Sequence, residues 1–128
     1  MKATSLIARN LLGLMFVVFG LNGFLHFIPQ PPPPPGLPSQ FLGALGQSHY
    51  LVAVFACQLV GGALLLANQY VPLGLVFLGP VIVNILLYHG LIAPAEIAPG
   101  IVAAVLWGIV FTSVRSAFQP IWSAKVQV

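Results

Sequence analysis

Charge is what this sequence has least of. Only 4% of its 128 residues are Asp, Glu, Lys or Arg, while 59% are hydrophobic; soluble domains carry roughly a quarter charged residues. A water-soluble chain of this length needs a polar shell, and these charges are too few to build one. That excludes an ordinary soluble domain. Acid is scarcest of all, Glu96 being the sole carboxylate side chain, and the net charge of +3 rests on four cations, Lys2, Arg9, Arg115 and Lys125. All four lie near the two ends of the chain. A nucleic-acid binder spreads many cations over one face, so that class is excluded too. Cys57 is the only cysteine, which rules out a disulfide within the chain and leaves the redox compartment unread; it reads as a small buried apolar group. There is no haem pair, iron–sulfur cysteine set or flavin motif, no closely spaced histidine pair to start a metal site, and no internal repeat.

What the sequence has instead is long apolar runs. The first covers about residues 6–28 and ends at Pro29. About twenty apolar residues are needed to cross the hydrocarbon core, so it is long enough. A secretory signal would be followed by an A-x-A-like cleavage site, and Phe24-Leu25-His26-Phe27-Ile28 offers none, so the run is expected to be retained. Further spans are predicted at about 50–68, 71–93 and 97–118. Asn68-Gln69-Tyr70 is short enough for a tight hairpin, and Pro72 and Pro99 suit first helical turns. The predicted fold is an all-α bundle of four transmembrane helices. An even number of spans puts the four cations on one side, which the positive-inside rule makes cytoplasmic. Both termini are then expected in the cytoplasm of a multi-pass protein of the inner (plasma) membrane, with Glu96 in an outer loop. Arg115 can snorkel to the headgroups, and Trp122 and Lys125 mark the interface.

The one long connection, 29–49, begins with Pro31-Pro32-Pro33-Pro34-Pro35, a stiff extended strap rather than a docking ligand for an aromatic groove. After it, Ser39 is suited to be an N-cap, with Phe41, Leu42 and Leu45 at helical spacing and Gly46 as a stop. A short interfacial helix is predicted over 39–45.

Polar side chains inside a span are costly and face a bundle interior or a functional site. Asn22, His26, Gln58, Asn84, Tyr88 and His89 all fall in the outer half of the membrane once the helices alternate in direction. The inner half offers only Thr112 and Ser113, whose hydroxyls commonly bond their own helix. Asn22, His26, Gln58, Asn84 and Tyr88 are the candidate ligand-binding set. His89 points away from Asn84 and Tyr88 on a helical wheel and is set apart. Each member also has a plain role, as an interhelical hydrogen bond or an interfacial anchor.

The segment Phe19-Gly20-Leu21-Asn22-Gly23-Phe24-Leu25-His26-Phe27-Ile28-Pro29 resembles the first helix of the DoxX-like family. The stretches Gln58-Leu59-Val60-Gly61-Gly62, Asn68-Gln69-Tyr70-Val71-Pro72 and Pro80-Val81-Ile82-Val83-Asn84 are similar to that family's central hairpin. The resemblance covers about residues 7–95; the five-proline run is longer than is usual there. It implies a four-helix membrane protein associated with membrane redox, either as a subunit linked to thiosulfate and quinone oxidoreduction or as a partner in complexes resisting oxidative stress. Distant eukaryotic relatives act as assembly chaperones or cargo receptors. No catalytic residue carries over, although Asn22, His26, Gln58 and Asn84 coincide with the family's recurrent polar positions.

Two functions follow as expectations. In the first, the chain is a non-catalytic subunit of a quinone-linked redox system. Polar groups would bind the quinone headgroup, Phe19, Phe27 and Phe55 would form the walls, and a membrane-associated oxidoreductase would supply the electrons. In the second, it is a scaffold or chaperone-like membrane partner whose polar cluster only fixes helix register. Transport is a weaker third, since no acid lies within a span to drive coupling. Glycine-rich helix faces permit a homo-oligomer.

Overall fold

The structure, a computed structural model, describes residues 2–128. Five α-helices follow one another, α1 (Ala3–Leu25), α2 (Leu37–Gln47), α3 (Tyr50–Ala67), α4 (Val71–Leu91) and α5 (Ala98–Val114), with 3-10 turns at Pro94–Glu96 and Arg115–Trp122. No strand occurs among the described residues. Four helical stretches, Ala3–Leu25, Tyr50–Ala67, Val71–Leu91 and Ala98–Trp122, are long and apolar enough to cross a membrane.

These four pack as a square, with α1 and α4 each lying against both α3 and α5. Glycine sets the closest approaches. A Cβ added at Gly62 would stand 2.8 Å from the Gly13 carbonyl oxygen, and one at Gly61 would stand 3.1 Å from that of Gly74. Consecutive residues of α3 thus let α1 in on one side and α4 on the other, as small residues do where helices meet without a hydrophobic driving force. Gly13 meets Gly62 while Gly23 meets Phe55, so α1 and α3 run antiparallel; Gly79 beside Trp107 and Gly100 beside Ile85 make α4 and α5 antiparallel as well. Both chain termini therefore lie at one end of the bundle (the terminal end), and the long connection and the α4–α5 turn at the other (the loop end). Leu12, Leu65, Leu75, Leu78 and Val110 are fully enclosed at the centre, and the Trp107 indole N–H donates to the Leu75 carbonyl at 2.9 Å.

Element ends depart from the sequence expectation where local hydrogen bonding overrides hydropathy. The first span stops at Leu25 rather than 28 because His26 turns left-handed, at φ 52°, with its N–H on the Asn22 carbonyl. Ser39 is not the N-cap of α2. Gly36, at φ 92°, takes that place, and the helix begins at Leu37 with Pro38 in its first turn. A left-handed backbone of that kind suits glycine alone. Ser39 instead donates back to the strap, 2.8 Å from the Pro34 carbonyl. Gly46 does not stop the helix, which runs on to Gln47. The α4 helix passes unbroken through Pro80 and ends at Leu91, and the fourth span leaves α geometry at Val114 to continue as a 3-10 coil to Trp122.

Arg9 also departs from its simple reading as a flanking charge. It lies inside α1, 5% exposed, and its Nη1 donates to the Leu65 carbonyl in the last turn of α3. A helix C-terminus carries unpaired carbonyls and a partial negative charge, which a guanidinium complements.

Candidate functional site

The enclosed core residues fill the middle of the square, but towards the loop end the side chains shrink. Gly23, Gly100 and Ala103 stand where larger residues would close the interior, and a cavity of about 570 Å³ opens between α1, α3, α4 and α5. Its walls are mainly apolar: Met15, Phe16 and Phe19 from α1, Leu51 and Phe55 from α3, and Ile85 from α4. Phe55 lies across Gly23 and meets Phe24 edge to face, with centroids 6.1 Å apart. Of the aromatic walls expected from sequence, Phe19 and Phe55 line the cavity, whereas Phe27 is 52% exposed and does not.

Five polar side chains reach this cavity: Asn22, His26, Gln30, Gln58 and His89. They differ in how much hydrogen-bonding capacity they have left. Asn22 is buried, and the Ile28 N–H donates to its Oδ1 at 2.6 Å while its Nδ2 donates to the Ile28 carbonyl at 3.4 Å. That pair clasps the chain as it leaves α1 and leaves the amide little to offer a ligand. Gln58 is buried as deeply, at 7% exposure, yet its Oε1 has no hydrogen-bond partner. Leaving a buried acceptor unpaired costs about 1–3 kcal/mol, and Gln58 is part of the cavity lining. His89 Nδ1 lies 3.0 Å from the Ala93 carbonyl oxygen. A carbonyl only accepts, so Nδ1 carries the proton and Nε2 of the neutral ring is left as an acceptor. His26 stands exposed at the rim, on its left-handed turn.

The remaining two members of the sequence-derived set sit elsewhere. Tyr88 stacks on Phe41 of α2, with centroids 5.7 Å apart and planes at 23°, and meets the His89 ring edge to face at 4.9 Å. It lines a second recess of about 700 Å³ beneath the proline strap, together with Ser39, Leu42 and Glu96. Asn84 faces outwards on α4, away from both recesses, and donates to the Pro80 carbonyl at 2.8 Å. So the cavity gathers Asn22, His26 and Gln58 as expected, takes in His89, which the sequence set apart, and leaves out Asn84 and Tyr88.

The signal for His89 was present. Leu78, Ile82 and Ile85 define the inward face of α4, and steps of three or four residues carry that face on to His89. A helical wheel anchored on this apolar face finds His89; one anchored on Asn84 does not. Gln30 had no such signal, since its place depends on the path of an irregular segment. Among the described residues, no three His, Cys, Asp or Glu side chains come close enough together to hold a metal ion. Compared with known proteins, the chain matches no family model, no curated protein and no solved structure.

Proposed function

We propose that the protein is an integral membrane subunit that holds a quinone-type ligand in the loop-end cavity and serves a membrane-associated oxidoreductase. Its termini face the cytoplasm, because the exposed cations Lys2, Arg115 and Lys125 all belong to the terminal end. The cavity then lies in the outer half of the bilayer, with α2 as an interfacial lid seated on Tyr88. The DoxX-like resemblance of α1 and the α3–α4 hairpin is in keeping with this reading.

The observation that carries the proposal is the buried Gln58 amide, its Oε1 without a partner, in the lining of an apolar cavity. An amide carries both a donor and an acceptor, and with His89 Nε2 as a further acceptor it suits a ligand bearing carbonyl or hydroxyl groups on an aromatic or otherwise flat apolar body. A quinone, which accepts, and its quinol, which also donates, both fit that description.

The test is to purify the protein in mild detergent, extract it and assay for bound quinone and quinol. Bound ligand retained by Asn84→Leu and lost from Gln58→Leu and His89→Ala is the expected outcome. Absence of quinone from the wild-type protein, or its retention by all three variants, would overturn the proposal. The scaffold reading would then stand in its place; the spending of the Asn22 amide on the chain's own backbone already favours a structural role for that residue.

A further inference from the structure

We infer that the protein self-associates in the membrane through the exposed stripe of α4, two copies pairing Asn84 with Asn84 about a two-fold axis. The inference rests on the chain spanning a bilayer and is independent of any ligand in the cavity. Asn84 is the one polar side chain on that stripe. It lies seven residues before the end of α4 at Leu91, so at 1.5 Å per residue it is about 10 Å inside the helix end and within the hydrocarbon layer. Lipid offers it no hydrogen-bond partner.

Nothing within the chain accounts for it. It lines neither recess. It does not repair the proline break either: Pro80 deprives the Val76 carbonyl of a donor, whereas Asn84 donates to Pro80's own carbonyl. That bond uses one of the two amide N–H groups, leaving a second N–H and the carbonyl oxygen turned towards lipid. A group that carries both a donor and an acceptor is complementary to itself, and a two-fold axis along the membrane normal brings two such groups together at one depth.

The residues around Asn84 suit a helix partner. Leu73, Pro80, Leu87 and Leu91 are exposed, as is Val83 beside Asn84, and Phe77 is half-buried. Leu73, Phe77, Pro80, Asn84, Leu87 and Leu91 recur at alternating steps of four and three, the spacing of a left-handed helix pair in which a single Asn on the seam fixes register.

The test uses the full chain in native membranes with Cys57→Ser as background, single cysteines at Val83→Cys and Leu87→Cys, and Val105→Cys on the exposed face of α5 to report random collision. Under mild oxidation, disulfide-linked dimers are expected from the two α4 positions and not from α5. Adding Asn84→Leu should lower the linked fraction at Val83→Cys by roughly tenfold, and Asn84→Gln should preserve it. Because Asn84 is exposed, its replacement should leave the fold intact, and energy transfer between labelled copies of correctly folded Asn84→Leu in vesicles gives a second reading that should fall equally. Equal linkage from α5, indifference to Asn84→Leu, or linkage only to a different protein would overturn the inference.

Discussion

Gln58 and Asn22 are both buried amides, and the fold uses them in opposite ways. Asn22 holds the Ile28 backbone, so Asn22→Ala strands a peptide N–H and is expected to lower stability by about 1–3 kcal/mol. Gln58 Oε1 holds nothing, so Gln58→Leu removes an unpaired group and should leave stability unchanged or raise it by about 1 kcal/mol. Thermal unfolding of both variants in one detergent measures the contrast, and a marked loss of stability in Gln58→Leu would mean that its oxygen is paired after all. Sequence made both residues legible as polar groups at a shared depth. It did not reveal which was already spent, because the partner of Asn22 comes from an irregular turn whose path hydropathy does not encode. The exclusion of Asn84 has a similar cause: its depth could be read, but its direction depends on how α3 and α5 flank α4.

At the scale of elements, the apolar runs located the spans because a bilayer demands continuous hydrophobic helices. Their ends were set by single residues. Gly36 displaced Ser39 as the cap of α2 through its positive φ, and His26 ended α1 early. Glycines on helix faces also divide into two kinds that look alike in sequence. Gly62 faces the Gly13 backbone, so Gly62→Ala forces two helices apart and should cost about 1–3 kcal/mol. Gly43, within α2, has open space around its Cα, and Gly43→Ala should stabilise that helix by about 0.5–1 kcal/mol. Melting temperatures of the two variants should therefore move in opposite directions.

For the whole molecule, the antiparallel square places both termini together, and the direction in which it sits in the bilayer decides which aqueous compartment the cavity approaches. With Cys57 replaced by Ala, a membrane-impermeant thiol reagent applied to intact cells should label Gln40→Cys on α2 and should reach Val128→Cys only after permeabilisation. The reverse pattern would turn the bundle over and move the proposed ligand site to the cytoplasmic half.

Arg9 links the two ends of the assembly process. Its guanidinium rests on the carbonyl of Leu65, fifty-six residues further along, a partner that does not yet exist when α1 leaves the ribosome. Until α3 is made, the nascent first helix must keep this cation out of hydrocarbon and near the headgroups. Its final depth is thus decided by a later segment, and a chain cut short before α3 should hold α1 shallower, with Arg9 open to water.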